Sequence, residues 1–111
     1  MFFHLIIDGV LHRSIDKEAG KRILSELPAL IGMKILSGPY VVEGVPENPG
    51  WTGFVIIDKS HISIHTVTEG NRVSIDVFSC KTFDEEVVFR YLEEHLPFKK
   101  KNTKMLERSE E

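Results

Sequence analysis

Two runs of alternating polar and apolar residues dominate the middle of the chain. Ser60 to Val67 (SHISIHTV) has period two, and Arg72 to Ser79 (RVSIDVFS) repeats it after the turn Thr68-Glu69-Gly70-Asn71. Glu69-Gly70 as the central pair, with Gly or Asn available for positive φ, predicts a tight antiparallel hairpin. Its register sets Val67 beside Arg72, His65 beside Ser74, Ser63 beside Asp76, His61 beside Phe78 and Lys59 beside Cys80, all on one face. The opposite face carries Ile62, Ile64 and Thr66 against Val73, Ile75 and Val77. That apolar surface requires a cover, most simply a layer of helices.

The flanking pattern supplies the remaining elements. Phe2 to Val10 reads as a first strand ended near Asp8-Gly9, and Gly53 to Asp58 (GFVIID) as a strand feeding directly into the hairpin. Between them, Ser14 to Ile31 predicts a helix capped by Ser14 or Asp16, with Ile15, Ala19, Ile23, Leu27 and Leu30 on one face. Pro28 predicts a kink or an end near Leu27. Lys34 to Val45 forms a strand broken at Gly38-Pro39, which points to a bulge or an edge position. Pro46 to Gly50 is a turn-rich loop able to cover a pocket. Thr82 caps a second helix, Phe83 to Leu96, whose apolar side is Val87, Val88, Tyr91 and Leu92, and Pro97 stops it. Residues 98–111 (FKKKNTKMLERSEE) form a polar tail, basic first and acidic last, for which an edge strand and disorder are both open.

The order β-α-β-β-β-β-α predicts an α/β (α+β) fold, a two-layer sandwich of one antiparallel sheet with both helices on one face. Residues 1–97 then form the folded domain. Composition narrows the function. The 111 residues, 41% hydrophobic and 28% charged, suit a single core, and the formal charge of −3 leaves no basic footprint for nucleic acid. The single cysteine excludes an internal disulfide, which fits a cytoplasmic protein and leaves Cys80 free for chemistry. The apolar runs are too short to span a bilayer, and the first residues lack the basic segment of a signal peptide.

What remains unexplained is the polar sheet face. Two histidines, an aspartate, two serines and the only cysteine share it, a composition that a plainly solvated face does not need. Ser60-His61, His65-Thr66, Glu69, Asp76-Val77-Phe78 and Cys80, preceded by Thr52-Gly53, resemble the core motif of the prokaryotic S-adenosylmethionine decarboxylases. The resemblance is specific from Thr52 to Cys80 and extends in layout over most of residues 3 to 95.

The resemblance implies a proenzyme that cuts itself and dimerises. Ser60 would be the precursor of a pyruvoyl cofactor: its Oγ attacks the Lys59 carbonyl, and elimination from the ester leaves one chain ending at Lys59 and another beginning with pyruvate. Such a group forms a Schiff base with the α-amine of a small-molecule substrate and accepts the electron pair released as carbon dioxide leaves, with no metal required. Thr52 and His65 match residues that assist processing, Cys80 the acid that returns a proton to the substrate α-carbon, and Glu69 a carboxylate that recognises the nucleoside. The implied assembly is an αββα homodimer, sheet against sheet, with each site partly closed by the partner.

The chain departs from the family pattern at several positions. Lys59 stands where the family has Glu before the processing serine, Val67-Thr68 where it has Trp-Pro, and Lys81 where it has Gly. VPENPG (Val45 to Gly50) lacks the aromatic residue that stacks on adenine, for which Trp51 is the available substitute. These departures leave open a decarboxylase of another amino acid, arginine or ornithine, on the same scaffold, and an unprocessed relative that binds ligand or regulates a paralogue. A histidine in a strand is more often a satisfied structural group than a catalyst, and His4, His12 and His95 are assigned that role.

Overall fold

The computed structural model describes residues 1–111. Eight elements follow in order: β1 (Phe2–Leu11), α1 (Lys17–Leu30), β2 (Ile35–Glu43), β3 (Trp51–Ile57), β4 (Ser60–Val67), β5 (Arg72–Ser79), α2 (Glu85–His95) and β6 (Phe98–Arg108). The strands form one six-stranded sheet in the order β2-β3-β4-β5-β1-β6, and every neighbouring pair is antiparallel. Strands β2 to β5 are a meander. The two helices return the chain over a single face to put β1 and β6 beyond β5, which completes the expected two-layer α+β sandwich.

The β4–β5 hairpin has the register set by its alternation, from Val67 opposite Arg72 to His61 opposite Phe78. Gly70 and Asn71 both adopt positive φ, 81° and 52°, so the tip uses the two residue types for which that conformation costs least. Ile62, Ile64, Val73, Ile75 and Val77 are buried beneath the helices with Leu5, Ile7, Val55 and Ile57. Burying a side chain of this size stabilises the fold by about 1.5–3 kcal/mol relative to leaving it exposed, so the alternation decides which face the helices cover.

Helix α1 begins later than Ser14 and runs past Leu27, where Pro28 predicts a kink or an end. Asp16, rather than Ser14, caps it by accepting a 2.9 Å hydrogen bond from the Ala19 amide. Pro28 does not end it: the helix runs on to Leu30, because a proline two residues from the terminus removes only one amide donor, and its own carbonyl accepts from Ile31 and Met33. The buried stripe is Gly20, Ile23, Leu24, Leu27 and Pro28, so Leu30 turns outward and is 48% exposed. Helix α2 starts at Glu85 with Asp84 as cap, its carboxylate accepting from the Glu86 amide, so the Thr82 cap and the Phe83 start are both replaced. Val88, Tyr91 and Leu92 are its buried side.

Both edges of the sheet follow from composition. Strand β2 is an edge with register shifts around Gly38-Pro39, the two features that block further pairing there. The other edge is β6. The residues read as a polar tail beyond position 97 belong to the sheet, with Phe2 opposite Arg108 and Val10 opposite Lys100, and the lysines mark an exposed edge rather than disorder.

Candidate active site

Strands β3 and β4 are joined by the two-residue turn Asp58-Lys59, closed by the pair Ile57 and Ser60. Lys59 has a φ of 53°, a left-handed conformation that costs a non-glycine residue about 1–3 kcal/mol and persists only where its surroundings impose it. The imposed contacts are visible. The hydroxyl of Ser60 donates to the Asp58 carbonyl at 2.9 Å and accepts a 2.9 Å hydrogen bond from the Cys80 amide. The Cys80 thiol donates to the same Asp58 carbonyl at 3.2 Å. Ser60 is only 6% exposed, because it lies on the helix side of β4 with Ile62 and Ile64. The peptide bond between Lys59 and Ser60 is thus pinned between a strained residue and a buried hydroxyl.

The end of β5 that supplies Cys80 is held from below. The buried Ser79 hydroxyl donates to the Lys81 carbonyl at 2.7 Å and accepts from the Lys81 amide at 3.1 Å. Lys81 reaches across to the loop after α1, where its Nζ donates to the Gly32 carbonyl at 2.7 Å. A glycine at position 81 would have no such tether.

Thr52 and His65 form a second pair. They face each other directly across β3 and β4, and Thr52 Oγ1 lies 2.9 Å from His65 Nδ1 on the open face of the sheet. This pair does not meet Ser60 within the chain. Five residues of extended β4 separate Ser60 from His65, about 16 Å, and their side chains project to opposite faces. The irregular Asp58-Lys59 turn does not bring them closer. Glu69 sits at the tip of the β4–β5 hairpin, at the same far end as His65.

Trp51 is not available to a substrate. The residue is 6% exposed, and its indole donates from Nε1 to the Ile15 carbonyl at 3.0 Å and packs against Gly20, where even a β-carbon would come within 2.2 Å of the ring. The expectation of a stacking role for Trp51 fails because inward parity on β3 makes it part of the core.

The sequence did not reveal how the open face is wired. His4 Nε2 lies 2.8 Å from Asp76 Oδ1, across β1 and β5, and Ser63 points its hydroxyl at the other carboxylate oxygen. Phe78 stacks on Phe2 with centroids 4.7 Å apart and on His61 at 5.3 Å, and the Arg108 guanidinium lies 5.0 Å from its ring. Burial holds His61 below the usual histidine range and His4 pushes the same way, while Asp76 opposes them. The pattern of β1 alone does not announce these contacts, since they depend on β1 pairing with a strand some seventy residues later. No cluster of three or more His, Cys, Asp or Glu side chains is disposed around a metal position, and no helix is long and apolar enough to cross a membrane.

A family model described as S-adenosylmethionine decarboxylase matches residues 4–109, which include both pairs, strands β2 to β6 and most of β1. The chain belongs to the S-adenosylmethionine decarboxylase family. Among individual relatives, the S-adenosylmethionine decarboxylase proenzyme of Clostridium botulinum (strain Loch Maree / Type A3) is 46% identical over 56 residues, 50% of this chain and 48% of that protein. The proenzyme of Hydrogenobaculum sp. (strain Y04AAS1) is 35% identical over 79 residues, 69% of this chain and 58% of the relative. The chain thus spans about half the length of the Clostridium relatives it matches. The crystal structure of the adenosylmethionine decarboxylase from Aquifex aeolicus covers the whole chain and 95% of its own, with a TM-score of 0.78 at 24% identity, so the two share a fold.

Proposed function

We propose that this protein is an S-adenosylmethionine decarboxylase that cleaves itself between Lys59 and Ser60, and that its site is assembled between two protomers packed sheet to sheet. The observation that carries the reading is the partition of the motif. Ser60 and Cys80 share the Asp58 carbonyl at one end of the sheet, and Thr52 and His65 form a pair on the open face toward the other. A twofold axis lying between two stacked sheets and running across their strands lays one end of β4 over the opposite end of its copy. Such a pairing lays the partner's Thr52 and His65 over the end of the sheet that holds the Lys59–Ser60 peptide, which they would reach from its open-face side. The open face suits the packing: Tyr40, Val42, Phe54 and Ile56 are exposed on it beside the Phe2–Phe78–His61 stack, more apolar surface than water favours.

The residues present fit a pyruvoyl group at position 60. Ser60 Oγ can reach the Lys59 carbonyl carbon by closing a five-membered ring through its own Cβ, Cα and N, the Lys59 conformation stores strain that cleavage releases, and the Cys80 amide marks where a polar oxygen at this position is held. Once formed, the group supplies an electron sink for decarboxylation of an α-amino acid. The chain's own contribution is proton handling and orientation. The Cys80 thiol, beside the same carbonyl as Ser60, would return a proton to the substrate carbon, and the imidazole of His65, hydrogen-bonded to Thr52, would carry protons during cleavage. Glu69, at the same end as His65, would reach the nucleoside from the partner's side.

Mass spectrometry of the denatured protein tests this directly. Two fragments that meet at Lys59 and Ser60, the second with a blocked pyruvoyl terminus, are expected. A single uncut chain after prolonged incubation would leave a silent relative instead.

A further inference from the structure

Strand β5 runs out just before the residue on which the Ser60 turn depends. Its ladder to β4 ends at Phe78 and its ladder to β1 at Ser79, so Cys80 lies beyond both. Helix α2 does not take up the chain again until Glu85. Yet the Cys80 amide bonds the Ser60 hydroxyl at 2.9 Å and its thiol the Asp58 carbonyl at 3.2 Å. A segment without ladder partners needs another hold to keep two such contacts, because fixing each unpaired residue costs conformational entropy.

Two holds are present, one on each side of Cys80. The fully buried Ser79 hydroxyl closes a small loop around it, donating to the Lys81 carbonyl and accepting from the Lys81 amide. Lys81 then carries the segment to the helix layer, where its Nζ donates to the Gly32 carbonyl at 2.7 Å. That carbonyl is a firm anchor. Gly32 follows the end of α1 with a φ of 73° and its amide bonded to Ala29, and its neighbours Ile31 and Met33 are buried and both donate to the Pro28 carbonyl. Carbonyls just past a helix C-terminus carry partial negative charge and attract a cation. The ammonium sits where a side chain at position 32 would crowd it, 3.2 Å from an ideal β-carbon. No carboxylate competes for it, since Lys81 enters no ion pair.

We infer that Lys81 is a positioning residue for self-cleavage: by tying the segment after β5 to the end of α1, it keeps Cys80 on the Ser60 hydroxyl and the Asp58 carbonyl. The lysine does not touch the reacting atoms and acts only through Cys80. Its effect on a rate rests on the proposed cleavage between Lys59 and Ser60, whereas its effect on the Cys80 contact does not. Position 81 is also one at which the chain departs from the family pattern, and the glycine expected there could not supply this hold.

Lys81→Met and Lys81→Arg in the full chain provide the test. The first removes the donor at similar length, and the second restores one, since a guanidinium can make the same single bond to a carbonyl. Both changes fall on an exposed side chain, so the melting temperatures should stay near that of the wild type. We expect the cleavage half-time, followed by intact mass from the moment of refolding, to lengthen about tenfold in Lys81→Met and to return to within about twofold of the wild type in Lys81→Arg. Equal half-times in Lys81→Met and the wild type, no recovery in Lys81→Arg, or a melting temperature that falls in step with the rate would overturn the inference. A wild type that stays uncut would refute the proposed function and leave Ser60 in place as acceptor, and hydrogen exchange at the Cys80 amide then decides. Exchange about tenfold faster in Lys81→Met than in the wild type and Lys81→Arg would support the tether, and equal exchange in all three would overturn it.

Discussion

The backbone amide of Cys80 donates to the side-chain oxygen of Ser60, twenty residues earlier, at 2.9 Å. This bond ties the end of β5 to the turn before β4 and fixes the hydroxyl beside the peptide it is proposed to cleave. Removing it has two separable consequences. Ser60→Ala should remain uncut and still fold, but with the Cys80 amide left without its acceptor it should lose about 1–3 kcal/mol of stability. Denaturant unfolding and intact mass on one preparation check both; a cleaved Ser60→Ala chain would dismiss Ser60 as the nucleophile.

Cys80→Ala keeps that amide and removes only the thiol. Self-cleavage should proceed, and turnover per cleaved site should fall about 100-fold or more if the thiol is the proton donor, with gradual inactivation by protonation at the wrong carbon. If the thiol only packs, the melting temperature falls and the rate per folded site is unchanged. Turnover and melting measured together separate the two roles.

A site shared between protomers makes a prediction that no single-chain site can. His65→Ala alone should process poorly, and Ser60→Ala should not be cut. Refolded together, the mixed dimer has one intact site, built from the Ser60 of the first variant and the His65 of the second, so the His65→Ala chain should be cut. Gel analysis of the mixture decides it, with failure of cleavage in verified mixed dimers pointing to a site within one chain.

The contact of Gly20 with Trp51 predicts a packing limit. Gly20→Ala places a methyl 2.2 Å from the indole, which has no room to retreat while its Nε1 is bonded to Ile15. We expect a loss of about 1–3 kcal/mol despite the better helix propensity of alanine, read from the midpoint of chemical unfolding. A stabilised Gly20→Ala would mean that the indole moves freely.

Stability should also depend on pH through the joint between the helices, where Tyr91 donates a 2.6 Å hydrogen bond to Glu26. That bond, helped by Arg22 and His95, holds the Glu26 carboxyl below its ordinary value of 4.5. A depressed carboxyl contributes stability that is present above pH 4.5 and lost as pH falls through the lower folded value. Burial and the same carboxylate push Tyr91 upward, so its contribution is complete below pH 10 and lost as the solution becomes more alkaline. Glu26→Gln should flatten the acid limb of the melting profile, and an unchanged limb would assign acid sensitivity to other carboxylates.

The sequence by itself determined the parts of this protein that rest on local periodicity. The alternation from Ser60 to Ser79 set the hairpin register, the inward face and the neighbourhood of Ser60 and Cys80, because in a strand parity alone decides which side chains share a face. Gly38-Pro39 likewise pointed to a bulge or an edge, and β2 has both. The motif from Thr52 to Cys80 carried the family. Local pattern was weaker wherever a distant surface chooses among near-equal options. Leu30 was as apolar as Leu24, and only the position of the sheet turned one out and the other in; Trp51 read as a ligand-stacking aromatic until Gly20 was found beneath it. Residues 98–108 carried too few apolar side chains to declare a strand, and became one because β1 offered an unpaired edge.

Parity and a five-residue separation along β4 set Ser60 and His65 on opposite faces, and only the tertiary structure decided that the Asp58-Lys59 turn leaves them there. The His4 and Asp76 contact is likewise decided by tertiary structure: it requires β1 to lie beside β5, an arrangement fixed by helix crossovers and core burial rather than by any spacing along the chain.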